Sequence, residues 1–105
     1  MHVQIVTFSL RDISDADYRS ACEGLANIFT GLPGLISKVW LADEASNTYG
    51  GVYTWADHQA MEAFARSDFF KAFATDPNFA NITSMAFGIL EGPSQITRAS
   101  VAIAA

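Results

Sequence analysis

The stretch Thr48–Phe73, TYGGVYTWADHQAMEAFARSDFFKAF, decides how the rest of the chain is read. Its opening residues have strand character, with Tyr49, Gly51, Tyr53 and Trp55 on one face and Gly50, Val52 and Thr54 on the other. Ala56-Asp57 then starts a helix almost without a loop. Asp57 is its expected cap, and Met61, Phe64 and Ala65 form its inward stripe. Ser67-Asp68 is a second capping point, so the helix should bend there and continue for a turn or two carrying Phe69, Phe70 and Phe73. Two glycines stand where strand side chains belong. They mark either a bulge among core aromatics or a place where a ligand comes close, with Gly50-Gly51 as the floor of a Tyr/Trp-walled pocket.

Working outward, His2–Leu10 reads as a strand with Val6, Phe8 and Leu10 on one face and Val3, Ile5 and Thr7 on the other. Both faces are largely apolar, so both should be covered. Ser14 followed by Asp17 resembles a capping box and opens a helix through about Thr30, whose apolar stripe is Tyr18, Ala21, Cys22, Leu25, Ile28 and Phe29. Gly31-Leu-Pro-Gly34 ends it. A strand over Leu35–Ala42, a hairpin loop over Asp43–Asn47 and the Thr48–Trp55 strand follow. After a TDPNFA loop, Asn81–Leu90 is the fourth strand, ended by Glu91-Gly-Pro93. The order is β-α-β-β-α-β, a ferredoxin-like α+β fold with a four-stranded antiparallel sheet. The expected domain spans residues 1–91. Residues 92–105 form a short apolar tail, either an arm laid on a partner subunit or a frayed end.

Half of the 105 residues are hydrophobic and only 16% are charged. A typical domain carries about 25% charged residues, so there is more apolar surface here than one small globule buries. Two helices cover one face of the sheet, and an identical subunit is the simplest cover for the other, which makes a homodimer the expected assembly. With 11 acidic and 6 basic residues the formal charge is −5, and no basic patch is present. Nucleic acid and anionic membranes are excluded as partners on that ground. No apolar run reaches the roughly 18 residues of a membrane-spanning helix. The single cysteine and a start that reads directly as a strand make the cytoplasm the expected location.

Motifs for zinc, dinucleotides and P-loop nucleotides are missing, so no metal and no cofactor are expected. His58 and Glu62, four apart, read as a solvated helix pair rather than metal ligands. Cys22, in an apolar stripe, reads as a buried thiol rather than a nucleophile. What remains is aromatic: Phe8, Trp40, Tyr53, Trp55, Phe64, Phe69, Phe73 and Phe87, with few ionisable groups. Such a set suits a planar apolar ligand and suits a plain core equally.

VQIVTFSL at the N-terminus, PGLISKVWLADE, and the Gly-Gly-Val-Tyr-x-Trp strand running into a helix resemble the YdhR-like putative monooxygenases of the dimeric α+β-barrel superfamily. The similarity spans nearly the whole chain up to Leu90. It implies a homodimer whose sheets form a barrel, with a pocket between each sheet and its helices. In the related cofactor-independent monooxygenases that oxidise aromatic polyketides to quinones, the functional Trp falls on Trp55, the Asn on Gly51 and the Tyr on Met61. In the haem-degrading branch, similar at SDFFKA, the iron-ligating His falls on Ala74 and the Trp associated with haem ruffling on Phe64.

The resemblance thus implies a cofactor-independent monooxygenase acting on a small aromatic or polyphenolic compound. Trp55 would stack on the substrate or hydrogen-bond it through the indole N–H, Tyr53 would be a donor, and His58 the titrating group near the pocket mouth. Phe8, Trp40, Gly51, Met61, Phe64, Phe69 and Phe73 would line the substrate site. The alternative is a non-catalytic, small-molecule-binding or stress-associated dimeric module using the same pocket.

Overall fold

A computed structural model describes residues 1–97. Its elements are β1 (His2–Leu10), α1 (Asp15–Thr30), β2 (Leu35–Asp43), β3 (Thr48–Trp55), α2 (His58–Ala65), α3 (Asp68–Thr75), β4 (Phe79–Gly88) and α4 (Glu91–Ile96). The four strands form one sheet in the order β2-β3-β1-β4, with every pairing antiparallel. This is the ferredoxin-like arrangement, with the second helix divided in two and a short helix added at the end.

The helix starts follow local chemistry. Ser14 Oγ accepts from the Asp17 N–H at 3.0 Å, Asp57 Oδ1 from Ala60 N–H at 2.8 Å, and Ser67 Oγ from Phe70 N–H at 3.2 Å. Each satisfies one backbone donor that a helix start leaves open. The Ser67 cap also explains the break between α2 and α3, because Arg66 closes one helix and Ser67 opens the next. At the end of the first loop it is Gly34, at φ 76°, that takes the left-handed conformation, whereas Gly31 at φ −94° does not.

The fourth strand differs from its expected span of Asn81–Leu90. It starts at Phe79, which pairs with Leu10, and it ends at Gly88, paired with His2. The early start is irregular: the β1–β4 register shifts between Thr7 and Ser9, and Asn81 takes φ 54°. Asn tolerates that left-handed conformation better than most residues, so it can sit at such a bulge. Glu91-Gly-Pro93, expected only to stop the strand, forms the first turn of α4, where proline's missing N–H removes no helical bond. Gln95 and Ile96 of the expected tail are therefore helical, and the rest of the proposed arm lies outside the described residues.

The core lies between the sheet and the helices. Val6, Phe8, Tyr49, Tyr53 and Trp55 from the sheet meet Tyr18 and Phe29 of α1 and Met61 and Phe64 of α2. On the opposite face the register brings Val39, Val52, Ile5 and Met85 into one row across all four strands. Val39 and Met85 are each 56% exposed and Phe87 beside them 48%, an apolar face that none of the described residues covers.

Candidate functional site

Between the inner sheet face and α1–α3 lies a cavity of about 350 Å³. That volume is in the range of small-molecule sites. Its wall is chiefly aromatic, and each strand and helix contributes through its own periodicity. Phe8 and Trp40 alternate inward from β1 and β2, Tyr53 comes from β3, and Phe29 from the apolar stripe of α1. The break at Ser67 lets Phe64 of α2 and Phe69, Phe70 and Phe73 of α3 approach from different directions. The rings meet at edges and tilts: Phe8–Phe73 at 5.0 Å, Phe29–Trp40 at 5.2 Å and Tyr53–Phe64 at 5.4 Å between centroids.

Five polar side chains break this wall: Tyr18 and Cys22 of α1, Lys38 of β2, Tyr53 of β3 and Asp76 just after α3. Burial pushes the Tyr53 hydroxyl up from its ordinary pKa, and it pushes up Tyr18 likewise, assisted by a hydrogen bond with Cys22. Both phenols are thus neutral donors at physiological pH. Lys38 moves the other way, burial pulling it down to about 7. Its Nζ lies 3.4 Å from the centroid of Trp40, 3.7 Å from Phe29 and 4.7 Å from Tyr53.

Gly51 explains how a lysine reaches this position. A Cβ on residue 51 would stand 2.8 Å from Lys38 Cε and 3.2 Å from Tyr53 Cε1, so the glycine leaves the space that the lysine stem fills. Gly50 does something different. A Cβ there would lie 1.8 Å from the Val6 carbonyl oxygen, and its φ is 154°. No register shift occurs at Gly50–Gly51 in either pairing, so the glycine pair is not a bulge. Gly50 itself borders the cavity.

Of the residues expected at the site, Phe8, Trp40, Tyr53, Phe64, Phe69 and Phe73 come together around the cavity. Trp55 does not border it. Its ring is 1% exposed and stacks behind Tyr53, with centroids 6.0 Å apart and planes 6° from parallel. Its indole N–H, expected to be free for a substrate, donates to Gln4 Oε1 at 3.0 Å. Gln4, 2% exposed, in turn donates from Nε2 to Ser84 Oγ at 3.1 Å. A buried N–H needs a partner, and β1 supplies it.

Met61 is in the core beside this group and off the cavity wall, as is Gly51. His58, expected near the mouth, is outside too. It heads α2, more than half exposed, with Nε2 3.3 Å from Glu62 Oε1 and its ring 5.2 Å from that of His2. The helix start turns it to solvent, away from the inward stripe of Met61 and Phe64.

Lys38 is the site residue that sequence reasoning passed over. The signal existed: it is the only charged residue in the LISKVWLA run, and it is two positions from Trp40, which places it on the same face. Cys22, half-buried, and Tyr18, buried, both reach the cavity from the α1 stripe, whereas Asp76 faces it through the fold alone. Among the described residues no three His, Cys, Asp or Glu side chains gather as a metal site, and no helix is long and apolar enough to cross a membrane.

The four-stranded antiparallel sheet with its helices is a ferredoxin-like α+β fold, and it matches that of solved proteins described as antibiotic biosynthesis monooxygenases. The sequence profile described as "Putative mono-oxygenase ydhR" matches residues 3–100, and the chain belongs to that family. Among curated proteins none matches the chain significantly.

Similar solved structures include SnoaB, a cofactor-independent oxygenase from Streptomyces nogalater. It is 21% identical with a TM-score of 0.64, and the match covers 86% of this chain and 94% of that one. A protein described as a putative antibiotic biosynthesis monooxygenase from Deinococcus radiodurans matches at 14% identity and TM-score 0.68, over 88% and 95% of the two chains. The haem-degrader MhuD of Mycobacterium tuberculosis, with two haems bound, matches at 17% and 0.65, over 86% and 96%.

Proposed function

We propose that this protein is a cofactor-independent monooxygenase acting on a small aromatic or polyphenolic compound, and that it works as a homodimer closed over the outer sheet face. The observation that carries this reading is the 350 Å³ cavity, aromatic on nearly all sides and furnished with a neutral phenol donor at Tyr53. Membership of the monooxygenase family and the likeness to SnoaB support it.

In this reading the rings of Phe8, Trp40, Phe64 and Phe73 hold a planar substrate, and Tyr53 donates a hydrogen bond to its phenolic oxygen. Trp55 acts through Tyr53 by fixing the ring it stacks against. An activated ring methylene of the substrate loses two hydrogens and becomes a carbonyl. One atom of dioxygen enters that carbonyl, and the other leaves as water with the two hydrogens. The substrate supplies all the electrons, and the protein contributes orientation and a dry site. Position 74, an alanine on α3, has no atom that could ligate haem iron, so chemistry of the haem-degrading kind is not proposed.

The test is dioxygen consumption and quinone formation from anthrone- and hydroquinone-type compounds with purified protein and no added flavin or metal. Rates equal to those without protein would refute the reading. A second reading, a binding or stress-associated module without turnover, is favoured by one observation: the Trp55 N–H is committed to Gln4, and Gly51 and Met61 bring no polar group to the cavity. Quenching of tryptophan fluorescence by such compounds, with no product on prolonged incubation in air, would establish it instead.

A further inference from the structure

We propose that Lys38 is the acid–base and anion-holding group of the cavity, and that the ligand is a planar aromatic bearing an acidic phenol or enol, bound as its anion against Nζ. The ligand class deepens the function proposed above. The binding claim holds whether or not turnover follows.

The argument begins with what Lys38 lacks. Among the described residues it makes no ion pair and no hydrogen bond, although it lies in the wall of the cavity. A lysine normally keeps its ammonium group in water while its stem lies along the protein. Here the stem and the head are both drawn into the aromatic wall, over Trp40, Phe29 and Tyr53. Three ring faces partly compensate a cation but accept no hydrogen bond, so the three donors of an ammonium group remain open toward the cavity.

The titratable groups that share the space are Tyr18 and Cys22 of α1, Tyr53 of β3 and Asp76 beyond α3. The two phenols are held neutral, and Asp76, the one acidic residue in the wall, forms no ion pair with Lys38. An amine in a mostly apolar chamber without a counter-charge, able to become a cation by taking a proton, is a site for an acid that brings its own aromatic surface and leaves its anion beside Nζ. Gly51 keeps the room for this arrangement, since any side chain at that position would press on Lys38 Cε.

The chemistry balances without a further reagent. Burial holds the Lys38 pKa near 7, so the amine is substantially neutral at physiological pH. A phenol or enol O–H entering the cavity breaks, its proton forms an N–H bond on Nζ, and an ammonium–phenolate pair results from two neutral partners. The Tyr53 hydroxyl donates a second hydrogen bond to the same oxygen. If oxidation follows, the electron-rich anion is the species that meets dioxygen, and Nζ returns its proton to the water that leaves.

The experiment uses meta-nitrophenol, a weaker acid than the Lys38 ammonium group, whose anion absorbs at longer wavelength than its neutral form. Titrated into wild-type protein at a pH above the Lys38 pKa of about 7 and below the phenol's own pKa, it is expected to show the phenolate band on binding. Lys38→Met should abolish the band and weaken binding roughly ten- to hundredfold, the range set by one charge-assisted hydrogen bond. Lys38→Arg, always cationic, should bind the phenolate too, but with release of one proton to the buffer, whereas wild-type protein, whose amine takes that proton, should release little.

Persistence of the phenolate band in Lys38→Met, or wild-type binding of the neutral form alone, would overturn the proposal. Circular dichroism and melting of each variant separate loss of the site from loss of the fold. Phenolate binding that depends on Lys38 with no dioxygen uptake supports the proposal and rejects the oxygenase reading. Dioxygen uptake unaffected by Lys38→Met rejects the proposal and leaves that reading standing.

Discussion

Replacing Gly50 by alanine should damage this protein far more than replacing Gly51, although the two are adjacent and both are nearly enclosed. At position 50 the new Cβ would stand 1.8 Å from the Val6 carbonyl oxygen and 3.0 Å from Thr7 Cα, where ordinary contact begins at 3.4 Å. Those atoms are backbone of the paired strand, so relief requires β1 and β3 to part at the Thr7–Gly50 pair. The positive φ of 154° adds strain for any residue with a side chain. Backbone strain of about 1–3 kcal/mol and overpacking of about 1–3 kcal/mol give a cost of roughly 4 kcal/mol. A domain of this size has only about 5–15 kcal/mol to lose. The melting temperature should fall by roughly 20 °C, at about 4–8 °C per kcal/mol.

At position 51 the nearest obstacle is Lys38 Cε, the far part of a flexible side chain, so the stem can move. There the reduced entropy of the unfolded chain, about 0.4–1 kcal/mol in favour of alanine, offsets much of the crowding. Urea denaturation followed by tryptophan fluorescence measures both variants. Equal losses for the two, or a Gly50→Ala loss below about 1 kcal/mol, would refute the reasoning.

Gln4→Leu should lower stability by about 2–3 kcal/mol, because it leaves the buried Trp55 N–H without an acceptor, and adding Trp55→Phe should recover part of that loss in a double-mutant cycle. Lys38 has its folded pKa depressed from 10.5 to about 7, so the unfolded chain binds more protons between those values and stability should rise with pH across that window. Lys38→Met should flatten that rise, which chemical denaturation at several pH values would reveal. The hydrogen bonds from Arg19 and Tyr49 lower the Asp15 pKa below 3.8, so this contribution is present above that pH and lost as pH falls through the folded value. Asp15→Asn should then make the acid limb of the stability profile shallower. Met85→Glu, in the middle of the exposed apolar row, should convert a dimer to a monomer in analytical ultracentrifugation, and a wild-type chain already monomeric at micromolar concentration would refute the homodimer.

The fold was legible because local signals agreed with one another. Ser14, Asp57 and Ser67 each capped the helix they announced, and the strand patterns of β1, β2 and β3 fell at their expected positions. The start of β4 was not legible, since Phe79 and Ala80 sit in a stretch with Pro77 and Asn78 that reads as loop, and only pairing with Leu10 and Ser9 draws them into the sheet. At the site, strand alternation was enough to place Phe8, Trp40 and Tyr53. It could not separate Tyr53 from Trp55, which share a face but differ in depth, because only the packing of Gln4 behind Trp55 decides which ring meets the cavity. His58 was misplaced for a related reason: closeness to the strand end in sequence says nothing about which side of the helix start faces solvent. Lys38 lay on the right face throughout, yet a single lysine in an apolar strand gives no hint of its depth until Gly51 is seen diagonally beside it, opposite Trp40 on the paired strand.

The division at Ser67 has a kinetic consequence. Helix α3 has no fully buried residue, and it is joined to α2 only through Arg66 and its own cap, Ser67. It nevertheless supplies Phe69, Phe70 and Phe73 to the cavity wall. Segments with few buried contacts open at a small fraction of the global unfolding free energy. A guest can therefore enter by local displacement of α3 while the sheet, α1 and the Trp55–Gln4 pair stay closed. The rate of uptake and the stability of the protein are set by different parts of the chain, and amide hydrogens of α3 should exchange well before those of β1 and β3.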